Sequence, residues 1–227
     1  MSQQLKVNLI YRRSFRFSWT NIEVFFLFTK QDTEKKLRNI YKIRLLGLVT
    51  LLLFPLPGFF LLDFFHETSW AEFFQLKKFD PISIGYGLEF GFAYAFIAYL
   101  FMKAPFFDAL PDRIDRILTN LPLTYSDGFF LSACAGIGEE LLFRAGIQPL
   151  LGPWITSVVF VALHGYLNPW NWKFSMYGLI VLPFIVVISF GFVHFGLWFS
   201  IAAHFAYDAV LFVIMIKEKK TSSVHFS

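Results

Sequence analysis

The sequence is poor in charge and almost without cysteine. Of its 227 residues only 16% are Asp, Glu, Lys or Arg, where a soluble domain carries about 25%. A single cysteine, Cys134, excludes an intramolecular disulfide framework and a cysteine-ligated zinc site. Set in an apolar stretch, it reads as a small packed residue rather than a nucleophile. No internal repeat and no low-complexity linker interrupts the chain. No cleavable signal peptide is expected either, since the N-terminus is polar and basic and the first long apolar run begins near Ile43. Apolar residues fill the chain instead: 56% are hydrophobic and 21% aromatic, with 32 Phe, and the mean hydropathy is +0.57. That composition belongs to the membrane class.

The net charge of +4 does not argue for nucleic acid as a partner. Ten of the 20 Lys and Arg residues lie within the first 44 positions, against three acidic ones, next to the first apolar run, where basic residues set membrane orientation. Ile22 to Phe28 is apolar and is followed by Lys30, Lys35, Lys36 and Arg38. This arm can also lie on anionic membrane lipid. A spanning helix needs roughly 20 apolar residues, and six stretches qualify or nearly do: about 43–65, kinked at Pro55 and Pro57; 82–102; 128–143; 150–166, stopped at Asn168-Pro169; 174–193; and 196–216. The expected fold is an all-α polytopic transmembrane bundle of about six spans with a polar cavity inside the membrane. It divides into a basic amphipathic arm (1–42), N-terminal helices with a polar loop (43–126), a core (127–216) and a basic tail (217–227). An even number of spans puts both basic termini on the cytoplasmic side, in a membrane expected to be the bacterial cytoplasmic one. The third and fourth stretches are short, and a re-entrant segment there would reverse the sidedness of what lies between them.

Charges are rare in the second half and patterned. Between Gly128 and Ile216 there are five, Glu139, Glu140, Arg144, Lys173 and Asp208, and Lys173 is expected in a polar turn. The other four lie on apolar helices together with His164, His194 and His204. An ionised group at bilayer depth costs about 2.5–3.5 kcal/mol on insertion scales, so these groups must face one another in an interior cavity. Glu140 and Arg144 stand four apart on one helix face, as do His204 with Asp208 and Phe160 with His164. Glu139 is rotated by about 100° from Glu140 and is left free of the arginine pair. A buried carboxylate beside another is a natural general base.

At these positions the chain resembles the CPBP family of CAAX prenyl-protease and bacteriocin-processing enzymes, also called the Abi family. The motifs are Glu139-Glu140-Leu-Leu-Phe-Arg144, Phe160-Val-Ala-Leu-His164 and His204-Phe-Ala-Tyr-Asp208, in the family's order. The resemblance covers roughly Asp127 to Ile216. It implies an intramembrane endopeptidase that hydrolyses a peptide bond in a membrane-associated protein or peptide. Glu139 would activate water with help from His164, Glu140 and Arg144 would orient the site, and His204 with residue 208 would stabilise the oxyanion. Some members carry Asn at the position of Asp208; an ionised carboxylate cannot donate to an oxyanion, so that role is open here.

Other readings stand beside this one. No cofactor is expected, but a divalent metal held by Glu139, His164 and His204 is a mechanistic variant, disfavoured by Arg144 and by the absence of a His-Glu-xx-His helix. A non-enzymatic membrane protein, such as a self-immunity factor or a proton-coupled transporter, is a different class. Transporters often carry related polar features in both halves, whereas the first half offers only Glu89 and Asp63. Glu89 is expected to line a substrate entrance, pair with a histidine or pack protonated, and Gly85, Gly87 and Gly91 around it to sit in close helix contact. Phe160 is expected to pack, and His194, outside every motif, to be structural.

Overall fold

The computed structural model describes residues 37–103, 122–167 and 172–224. Residues 1–36 of the basic arm, the polar loop with Asp108, Asp112, Arg113, Asp115 and Arg116, and the Asn168-Pro169 break lie outside the described residues, whereas residues 37–42, expected in the arm, belong to the first helix. The chain divides into two compact units, Met1–Asn39 and Ile40–Ser227, and the bundle below is the second. Among the described residues there is no strand, and five helices are long and apolar enough to cross a membrane.

Helix α1 spans Leu37–His66 with a turn at Phe54; Pro55 opens its second half, where a missing N–H costs nothing. A rim segment follows, consisting of the short helix α2 (Trp70–Phe73), capped by a Ser69–Glu72 box, and a 3₁₀ turn, Leu76–Lys78. Helix α3 is Pro81–Met102, with Asp80 accepting from the amides of Ile82 and Ser83. The Ser83 hydroxyl adds a third bond at 2.7 Å, and these donors hold the Asp80 carboxyl below its usual range. Helix α4 (Tyr125–Glu140), capped by Thr124, continues through a π-helical segment, Leu141–Ile147, into α5 (Gln148–Leu163). Helices α6 (Trp172–Phe195) and α7 (Leu197–Val224) complete the bundle. Because α6 starts at Trp172, Lys173 belongs to its first turn and not to the preceding loop.

The two central stretches expected as separate spans are one apolar helical run, Tyr125–Leu163. It does not end at Phe143; it runs on and reverses at Gly152, whose φ of 77° breaks the helix. Pro153 follows and cannot donate to the preceding turn. A straight helix would hold residues 139 and 164 about 37 Å apart, yet their side chains approach to 3.4 Å. Ring contact between Phe143 and Phe160 at 4.8 Å confirms the doubling back. The returning leg, Pro153 to His164, is about 17 Å long, too short to cross a hydrocarbon layer of about 30 Å.

Cross-contacts give the helix directions. Gly87 and Gly91 of α3 meet Phe199 to Ala206 of α7 in rising order, so these helices are parallel. Gly128 meets Phe212 and Ile216 while Gly136 meets Ile201 and Phe205, so α4 and α7 are antiparallel. Gly47, Gly58 and Gly138 place α1 parallel to the α4 leg. The start of α1 and the end of α7 therefore lie at one end of the bundle; the rim segment, the Gly152 reversal and the Gly196 turn lie at the other. Close backbone approach requires glycine at Gly138, where a Cβ would collide with the Thr50 carbonyl, and at Gly146, where it would collide with Gly58. Gly85 has no neighbour of that kind among the described residues, so only two of the three glycines expected at a contact are there. Cys134 is packed at 2% exposure, as expected.

Candidate active site

Three helices deliver the polar groups to one level of the bundle. Glu139 and Glu140 end α4, Arg144 lies within the π-helical segment, Phe160 and His164 come from the returning leg, and His204 and Asp208 come from α7. Counted along α4, Glu139 is about 18 Å from Asp127 near the terminal end, and along α7 His204 is about 10 Å from the opposite turn. The site thus sits at membrane depth. Short π-helical segments are rare and frequently mark functional positions.

All six site residues expected from the sequence meet here. The Glu139 Oε2 atom lies 3.4 Å from His164 Nε2 and 4.0 Å from His204 Nε2. His164 Nδ1 is 2.8 Å from the Phe160 carbonyl; a carbonyl only accepts, so Nδ1 donates and Nε2 is left to face Glu139. His204 repeats the arrangement. Its Nδ1 is 2.8 Å from Glu140 Oε1, which leaves its Nε2 toward Glu139 and toward Asp208 Oδ2 at 3.5 Å. Two histidine Nε2 atoms therefore converge on one carboxylate.

Glu140 and Arg144 are both wholly buried. Their closest approach, Nε to Oε2, is 3.2 Å, but the atoms are not aligned as a hydrogen bond, and among the described residues neither has another such partner. The contact is an ion pair. The guanidinium also lies over the Phe160 ring at 5.4 Å, a cation–π arrangement. Phe160 thus packs, as expected, against Phe143, Arg144 and His164, and its carbonyl additionally orients His164.

A cavity of about 270 Å³ opens on this cluster. Its polar wall is Glu139, His164, His204 and Asp208, and its apolar wall includes Ile180, Phe184 and Leu211. Tyr166 and Tyr207 also line it; both were missed from the sequence. Tyr207 sits beside the Asp208 motif, and only the packing of α6 against α7, with Phe184 stacked on Tyr207 at 4.1 Å, brings it to the wall. Glu89 lies on an exposed face of α3 and lines neither this cavity nor the second one below. His194 lines that second cavity, at the rim.

Two close histidines and a carboxylate are the donor types a divalent metal would use. Among the described residues, however, no three such side chains stand as a group that could hold one. What the set can do as built is hold a water molecule between an acceptor carboxylate and two imidazoles, in a pocket with one charged and one apolar wall.

No curated protein and no solved structure matches the chain. A protein-family model does: residues 122–210 match the one described as type II CAAX prenyl endopeptidase, Rce1-like. The matched segment starts just before the Thr124 cap and ends two residues after Asp208, so it contains every residue of the cluster. Over residues 122–210, under half of its length, this integral membrane chain is therefore similar to the Rce1-like type II CAAX prenyl endopeptidases.

Proposed function

We propose that the chain hydrolyses a peptide bond in a membrane-associated protein or peptide by means of a water activated by Glu139. The observation that carries this reading is the convergence of His164 Nε2 and His204 Nε2 on Glu139 Oε2 inside the cavity. A water held there gives a proton to Glu139 as its oxygen attacks the scissile carbonyl carbon. His164, its Nδ1 fixed on the Phe160 carbonyl, orients that water. His204, its Nδ1 fixed on Glu140, donates from a protonated Nε2 to the oxyanion. The C–N bond then breaks, and the leaving amine takes the proton from Glu139 through His164. Base catalysis of this kind contributes typically 10²–10⁴-fold, and donors aimed at the oxyanion contribute further. In a site of low dielectric both gain strength.

Asp208 fits a positioning role better than an oxyanion donor, because its carboxylate faces His204 Nε2 at 3.5 Å. Asp208→Asn is accordingly expected to keep hydrolysis within about tenfold of wild type, measured as single-turnover rates on a peptide in detergent. A loss as deep as that of a Glu139 variant would assign Asp208 to the chemistry itself.

The substrate is tested in cells carrying wild type or Glu139→Ala at matched protein level, by comparing membrane-protein C-termini and released peptides. New C-termini confined to the wild type are expected. Identical C-termini, with every phenotype retained by the variant, would favour a non-enzymatic immunity or transport role. Stoichiometric metal in purified protein, with activity lost on chelation, would replace the metal-free chemistry. For localisation, the concentration of basic residues before α1 and after Ile216 supports a cytoplasmic position for the end of the bundle where both termini of the membrane domain lie.

A further inference from the structure

The buried polar atoms without a hydrogen-bond partner among the described residues are Glu140 Oε2, Arg144 Nε, Nη1 and Nη2, Gln148 Oε1 and Thr156 Oγ1. They are not scattered. Glu140, Arg144 and Gln148 follow one another at four-residue steps along one face, and each is at most 3% exposed. The hairpin register pairs Glu139 with His164 and Arg144 with Phe160. Continued toward Gly152, it pairs Gln148 with Thr156, which is fully buried. The atoms thus form one file along the inside of the hairpin.

Both ends of the file lead somewhere. At one end Glu140 holds His204 Nδ1 at 2.8 Å, and His204 faces the catalytic cavity. At the other, Gln148 lines a second cavity of about 410 Å³ beneath the rim, together with Gln75, Lys78, Pro153 and His194. Gln75 ties that rim to the α6–α7 turn by accepting from the Leu197 amide at 2.9 Å and the Trp198 indole at 3.3 Å. The catalytic cavity extends the other way: Ile180, Val181 and Leu211 lie on the terminal side of Phe184, Ile185 and Asp208. The two cavities therefore lie on opposite sides of the Arg144 level.

The chemistry of the file selects its occupant. Arg144 offers only donors, Glu140 Oε2 and Gln148 Oε1 only accept, and the Thr156 hydroxyl does both. An anion would satisfy the guanidinium and leave the two acceptors bare; a cation would do the reverse. Water serves all of them, and buried polar groups of this kind are ordinarily satisfied by ordered water. Leaving them dry at membrane depth is strongly unfavourable.

We propose that Gln148, Thr156, Arg144 and Glu140 line a hydrated file through which water reaches the catalytic level from the rim cavity, on the side opposite to the substrate cavity. A peptide filling the substrate cavity would then leave the water supply open. That use rests on the hydrolytic reading; the hydration of the file does not. The test is water-edited solid-state NMR of full-length protein in lipid bilayers, labelled with [¹⁵N]Arg and [¹⁵N]Gln. The Arg144 guanidinium is assigned through its 3.2 Å contact with the Glu140 carboxyl. Magnetisation from water is expected to reach Arg144 and Gln148 as fast as it reaches the half-exposed Arg44. Gln148→Leu, and the milder Thr156→Val, should each slow the build-up at Arg144 several-fold, while Glu139→Gln leaves it unchanged. Build-up in wild type as slow as that of core amides would overturn the file. So would an Arg144 rate indifferent to both rim-side variants, which would assign its water to the substrate cavity, or ³¹P dephasing of the guanidinium, which would put a phosphate there. None of these readouts requires turnover, so failure of the protease reading would be seen separately.

Discussion

Glu139→Gln is expected to lower the single-turnover rate of peptide hydrolysis by about 10²–10⁴-fold, the range general base catalysis supplies, with little change in folding or substrate binding. The amide matches the carboxylate in size and keeps an oxygen toward the two histidines, but it cannot take the proton of an attacking water. Glu139 tolerates this because it is not an element of the packed core: its side chain is 15% exposed and borders the cavity. Glu140 is the control. It is fully buried between Arg144 and His204, so Glu140→Gln should lower thermal stability and activity together. Measuring both variants by rate and by thermal unfolding in detergent separates the base from the scaffold. Equal rate losses with equal destabilisation would remove Glu139 from its role.

Much of this site can be read along the chain because membrane helices are written in simple terms. Apolar runs near the bilayer length mark the helices, and a charge inside one must have a reason. Four-residue spacing alone puts Glu140 with Arg144, Phe160 with His164 and His204 with Asp208 on shared helix faces. Other features depend on register between helices and leave no local mark. Between Leu141 and Gly152 the sequence is apolar apart from Arg144 and Gln148, and Gly152-Pro153 marks a break; that the chain folds back there onto its own preceding leg depends on packing that leaves no local mark. The ion pair between Arg44 and Asp127, at 2.7 Å, joins residues 83 apart. Tyr166 and Gln148 look like ordinary residues near helix ends; one lines the catalytic cavity and the other the rim cavity. Gly85 and Gly91 are alike in sequence, yet only Gly91 faces α7. Composition decides which segments are buried in lipid, but only the packed bundle decides which face of each meets a neighbour.

Arg144→Met is expected to be the most destabilising single change in the core. The variant deletes the only cation paired with Glu140 other than His204 among the described residues, and the carboxylate stays at zero exposure. Removing one partner of a buried pair typically costs about 3–5 kcal/mol, a large part of the stability of a domain. The cation–π contact over Phe160 is lost as well, and with it part of the support for the helix that carries His164. Lysine should rescue poorly, since a point charge cannot reproduce the planar guanidinium over the ring. The expected result is a sharp fall in folded, monodisperse protein after detergent extraction, before activity can be measured. The double variant Glu140→Gln, Arg144→Met removes both charges. It should recover much of the folded yield, because a neutralised pair leaves no bare charge behind. The resulting coupling, read by a double-mutant cycle on unfolding, measures the interaction itself. If the double variant is no more stable than Arg144→Met, the arginine supports the hairpin through its contact with Phe160 rather than by neutralising Glu140.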